Sequence, residues 1–98
     1  MPGRLDPQTR IARKEGLLVE SLAGQTVMLD PEQDRYLRLN ETGALLWDAL
    51  AEPRPLADLG AHLAAETGID AERATSDATE FVHRLLEFGA ARIESERR

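Results

Sequence analysis

Asp77, Phe81, Arg84 and Phe88 follow one another at spacings of four, three and four residues. At the helical period this spacing sets all four on one stripe. Two aromatic rings between an acid and a base make a wall that is apolar with charged handles. Such a wall grips a side chain; it does not transform one. The alternative is that Phe81 and Phe88 simply widen a core seam, and for Phe81 the sequence favours neither reading. A second group, Arg35-Tyr36-Leu37-Arg38-Leu39, alternates polar and apolar residues with the period of a strand. Leu37 and Leu39 are expected to face a core and Tyr36 and Arg38 to face outward. If this strand ends a sheet, its free N–H and C=O groups form a template for an extended peptide. Arg35 and Arg38 also suit the plainer role of charges that keep an edge from aggregating.

Residues that would carry catalysis do not gather. There is no cysteine, which excludes disulfides, thiolate metal sites and thiol nucleophiles. His62 and His83 stand alone, without a second ligand at metal spacing, and read as partly exposed or packing residues of helices. No glycine-rich phosphate loop is present, and Ser21, Ser76 and Ser95 lack a nucleophile signature. Asn40-Glu41-Thr42 has the form of a glycosylation acceptor but reads better as a helix cap, since no secretory signal precedes it. The expectation is a protein that is not an enzyme, with no cofactor and no metal.

The elements that must position these groups are legible in the periodicity. Leu17–Leu22 and Thr26–Leu29 read as strands broken by Ala23-Gly24, and Asp30-Pro31-Glu32-Gln33-Asp34 is turn chemistry before the third strand. Asn40 then opens a helix to about Leu50 that is stopped by Pro53 and Pro55. A second helix carries Leu56, Leu59 and Leu63 and closes at Gly68. A third runs from Ala71 to about Phe88 behind Asp70, with Ala78, Val82 and Leu85 on its core stripe and Gly89 at its end. A last apolar piece, Ala90–Ile93, is suited to an edge strand or to covering the core. The expected fold is α+β and winged helix-turn-helix-like: a three-stranded antiparallel sheet followed by three α-helices. Residues 1–16 are expected to be a flexible basic tail, 17–93 the domain, and 94–98 a C-terminal tail.

Charge limits the partners. The chain of 98 residues has a net charge of −6, yet Met1–Lys14 alone carries four basic residues against Asp6, which leaves the remainder at −9. Between Asp70 and Phe88, the stretch a winged helix would lay on DNA, Arg73 and Arg84 face Asp70, Glu72, Asp77, Glu80 and Glu87. A surface of that sign is repelled by a phosphate backbone. No apolar run approaches the roughly 20 residues of a membrane span. The expectations are no nucleic acid, no membrane and a cytoplasmic location. An acidic winged-helix transcription or adaptor protein stands as the alternative class.

In order and spacing the chain from Leu17 to Ile93 resembles the PqqD family. That family includes the pyrroloquinoline-quinone biosynthesis chaperone and the stand-alone recognition elements of ribosomally made, post-translationally modified peptides (RiPPs). The residues that carry the likeness are Leu29-Asp30, the tyrosine-bearing strand ending in Leu39-Asn40, and Thr42-Gly43 opening a helix with Trp47. Asp77, Phe81 and Leu85 follow on a final helix closed by Gly89. The chain departs from the chaperone at Ala49–Pro53, where a cysteine-aspartate-glycine step is usual, and from lasso-type members at Glu41, where proline is common. The subfamily and its product therefore stay open, PQQ-like or lasso-like. The resemblance implies a module that binds the leader segment of a precursor peptide beside the third strand and against the third helix. It further implies that Arg35, Tyr36, Leu37, Arg38 and Leu39 bond the leader backbone, while Asp77, Phe81, Arg84 and Phe88 read its side chains. The implied partners are the precursor peptide and a processing enzyme such as a leader peptidase or radical-SAM maturase, with a homodimer as a further candidate.

Overall fold

The computed structural model describes residues 5–94. Six strands and three helices follow one another: β1 (Arg10–Arg13), β2 (Leu18–Leu22), β3 (Gln25–Asp30), β4 (Arg35–Leu39), α1 (Glu41–Ala49), β5 (Arg54–Pro55), α2 (Leu56–Thr67), α3 (Ala71–Phe88) and β6 (Ala91–Glu94). The architecture is α+β with antiparallel sheets and three helices, but the sheet content differs from expectation. The expected meander is present as β2-β3-β4, and a second sheet, β5-β1-β6, stands beside it.

That second sheet corrects the reading of residues 1–16 as a flexible tail. Within the described part of this stretch, β1 pairs with β6 through Arg10↔Glu94, Ile11↔Ile93, Ala12↔Arg92 and Arg13↔Ala91. Ile11 is fully buried and Ala12 nearly so. Of the basic residues that suggested a solvated arm, the three among the described residues each have a partner. Arg10 pairs with Glu94 at 3.2 Å, and Lys14 pairs with Asp30 at 3.2 Å. Arg13 stacks on the Trp47 ring at 4.3 Å while donating to the Trp47 carbonyl at 2.6 Å. The same segment finishes a helix. Pro55 gives α2 no side-chain cap, and the Leu56 and Ala57 N–H groups donate instead to the carbonyls of Thr9 and Pro7, both at 2.9 Å. Of the expected C-terminal tail, Glu94 belongs to β6; residues 95–98, with Ser95, lie outside the described residues.

The meander has its turns where turn chemistry was read. Ala23 (φ 51) and Gly24 (φ 81) join β2 to β3 in the left-handed region, where glycine is at ease and alanine is not. Asp30 closes the β3–β4 turn: its carboxylate, almost fully buried, accepts from the N–H groups of Glu32 (3.0 Å) and Gln33 (3.3 Å) and from Lys14. Burial alone would raise the Asp30 pKa, but the Lys14 contact and the two backbone donors outweigh it and hold the carboxyl below its ordinary value.

Helix ends follow the expected signals with one difference. Asn40 caps α1, its side chain accepting from Gly43 N–H at 2.8 Å. Gly68 and Gly89 end α2 and α3 in the left-handed conformation. Asp70 occupies the N-cap position of α3, but its side chain makes no capping bond. The core joins Met28 and Leu39 of the sheet to Leu46 and Leu50, to Leu56, Leu59 and Leu63, and to Ala78, Val82 and Leu85. The stripes of α2 and α3 are those read from the periodicity.

Candidate peptide-binding cleft

β4 is the last strand of its sheet, and among the described residues nothing pairs with its outer edge. Every second residue of an antiparallel edge strand turns both its N–H and its C=O outward, so β4 offers bonds at alternate positions. As expected, Leu39 is buried and Leu37 half-buried against the core, whereas Tyr36 and Arg38 are exposed.

Three cavities flank β4. At its beginning, about 550 Å³ is lined by Leu29, Asp34, Arg35, Tyr36 and Phe88. Past its end, a cavity of about 290 Å³ is bounded by Asn40, Thr42, Gly43, Asp77, Phe81 and Arg84, among others. A larger one of about 900 Å³ takes in Arg38, Leu39 and Leu45, and shares Asn40, Thr42 and Arg84 with the second. The four residues of the α3 stripe are thus divided. Asp77, Phe81 and Arg84 meet in one cavity, while Phe88 lies at the other end of β4 with Arg35 and Tyr36. Leu37 lines none of the three.

Arg35 fixes that far end. Its guanidinium lies 4.7 Å from the centre of the Phe88 ring and donates to the Phe88 carbonyl. The contact ties the start of β4 to the end of α3, where the last carbonyls carry partial negative charge. Arg35 therefore joins strand to helix, a role beyond guarding an edge.

Phe81 and Phe88 answer the two readings of the stripe together. Both rings are buried core members, and both also line a cavity. Phe81 owes its position to Gly43: a Cβ added there would lie 3.0 Å from the ring. Gly43, Asn40, Arg73 and Glu80 line the cleft without having been picked out as site residues. A signal for two of them was in the sequence, since Arg73, Asp77, Glu80 and Arg84 recur every three or four residues and form one charged row. Within that row Arg73 and Asp77 approach to 3.8 Å.

Comparison with known proteins shows the family and the fold. The family described as coenzyme PQQ synthesis protein D (PqqD) matches residues 25–90. Among solved structures, lasso peptide synthetase B1 complexed with the leader peptide is 27% identical, with a TM-score of 0.72 over 84% of this chain and 96% of that one. TbiB1 in complex with the TbiA(beta) leader peptide is 17% identical, with a TM-score of 0.71 over 89% and 99%. The PqqD truncation of Methylobacterium extorquens PqqCD, described as a functional and stand-alone RiPP recognition element, is 12% identical, with a TM-score of 0.76 over 91% and 95%. No curated protein matches the chain significantly.

Proposed function

The chain belongs to the PqqD family, and from that premise we propose that it binds the leader segment of a ribosomally synthesised precursor peptide and presents it to a processing enzyme. The observation that carries the proposal is the open edge of β4, flanked by cavities that α3 helps to line. β2 is also a terminal strand, but it lines none of the cavities that α3 shares. In this reading the leader adds as a fourth strand along Arg35–Leu39. Its inward side chains enter the cleft beside Phe81, Arg84 and Phe88, with Asp77 and Arg84 as charged handles. The likeness to the leader-bound lasso synthetase B1 supports a lasso-like pathway, with a leader peptidase as the enzyme served; a radical-SAM maturase is the counterpart in a PQQ-like one. The domain itself contributes recognition, not catalysis.

The energetics are consistent with recognition by side chains. About four strand-addition hydrogen bonds contribute roughly 0.5–1.5 kcal/mol each, and each buried apolar leader side chain about 1.5–3 kcal/mol. Association costs about 4–15 kcal/mol. Backbone bonds, together about 2–6 kcal/mol, meet only the low end of that cost, so two or three anchored side chains are required for useful affinity.

The test is an NMR titration of the full chain with a synthetic leader from the short precursor gene nearest its own. Binding at micromolar concentration with amide shifts over Arg35–Leu39 supports the proposal, and silence at high micromolar concentration counts against that pairing. Arg84→Glu, at an exposed position lining two of the cavities, should weaken binding and leave the fold intact.

A further inference from the structure

The outer face of the meander, turned away from the core, carries large apolar side chains in register. Leu18 pairs with Leu29, and Leu29 pairs with Tyr36, so the three form one cross-strand row. All are exposed, Leu18 at 53%, Leu29 at 38% and Tyr36 at 64%. The neighbouring row on the same face is Glu20, Val27 and Arg38. Both rows end at the open edge of β4. The first is also continuous with the cleft, because Leu29 and Tyr36 share a cavity with Phe88.

A strand added to β4 sends alternate side chains to opposite faces. Its inward residues enter the cleft already described. Its outward residues must extend the two rows, and side chains adjacent in a row interact directly. We propose that Tyr36 and Arg38 form a second, outward-facing specificity subsite that selects two leader residues spaced two apart. The one beside Tyr36 is apolar or aromatic and completes the Leu18–Leu29–Tyr36 row. The one beside Arg38 is acidic. The residue between them lies on the inward face beside Leu37. Antiparallel addition, the pairing both existing ladders of this sheet use, orders the pair acidic-x-apolar from the leader's N-terminal side; parallel addition reverses it.

This inference rests on leader addition at β4, and its test separates the two. A display library of random 14-residue peptides is selected on the full chain, and enriched peptides are titrated against wild type, Tyr36→Ser and Arg38→Glu, with amide shifts locating the site. Both positions are exposed, so the variants retain the fold. The expected result is an acidic and an apolar residue two apart in the enriched set. Affinity should fall about three- to tenfold in Arg38→Glu and return when the acidic peptide residue is changed to lysine. Tyr36→Ser should lose about three- to fivefold and relax only the apolar position. Peptides that shift the β4 amides yet show no such pair, or bind both variants unchanged, overturn the outward subsite and leave leader addition standing. Failure to enrich any peptide that shifts the β4 amides overturns both.

Discussion

Gly60→Ala tests whether the packing of α2 on α3 sets the position of the cleft wall. A Cβ at Gly60 would lie 2.9 Å from Thr75 Oγ1 and 3.2 Å from Thr75 Cα. In a helix interior glycine to alanine ordinarily stabilises by about 1 kcal/mol. Overpacking here opposes that gain with a cost of about 1–3 kcal/mol. The hydroxyl can rotate aside, but the Cα moves only with α3, so a net loss of about 1 kcal/mol is expected. For a domain of this size that lowers Tm by roughly 4–8 °C. Thr75→Ala removes the nearer of the two contacts. The double variant should therefore be more stable than the sum of the single effects by about 0.5 kcal/mol or more. Urea denaturation of the four proteins measures the cycle. A Gly60→Ala protein more stable than wild type by the full helical gain would refute the reasoning, and a strictly additive cycle would remove the hydroxyl from it. Because α3 carries Asp77, Phe81 and Arg84, leader affinity should fall in step with any displacement of the helix.

Two further outcomes are expected. Ile11→Ala should cost about 2–5 kcal/mol by chemical denaturation, the range for a truncated core side chain, where a residue in a loose tail would change stability by less than about 0.5 kcal/mol. Asp30→Asn keeps the acceptor that closes the β3–β4 turn but loses the charge facing Lys14. Since the Asp30 pKa is lowered in the fold, its contribution is present above the unfolded carboxyl value of about 3.9 and is lost as pH falls below that, through the folded value. Wild type should accordingly lose stability more steeply than the variant as pH drops through this window, and equal slopes would contradict the assignment.

Local periodicity made the meander, the three helices and their core stripes readable, because Leu59 and Leu63, or Leu37 and Leu39, declare a face within a few residues. β1 escaped the same treatment. Arg-Ile-Ala-Arg is too short to show alternation, and its partners stand more than forty residues away in β5 and about eighty away in β6. Its charges pointed to solvent because Glu94, Trp47 and Asp30 are adjacent only in the folded chain. The open edge and the helix stripe were legible, but not the division of that stripe between the two ends of β4 nor the double service of its rings. Buried as they are, Phe81 and Phe88 cannot be truncated as innocent probes of binding: a Phe→Ala change in a core costs about 3–5 kcal/mol. The exposed Arg84 is the cleaner probe.

The pairing of β1 with β6 also decides where the domain can be tethered. Arg10 and Glu94 sit opposite one another, held by their ion pair, and the Asp6–Thr9 turn runs straight into Arg10, so the chain enters and leaves the described fold at neighbouring points. A catalytic domain joined before residue 5 or after residue 94 would hang from neighbouring points, about one turn of chain apart. With equal linkers it would sweep a similar volume and meet a bound leader at a similar effective concentration. For this fold, the order in which recognition and processing domains are fused is a matter of linker length more than of geometry.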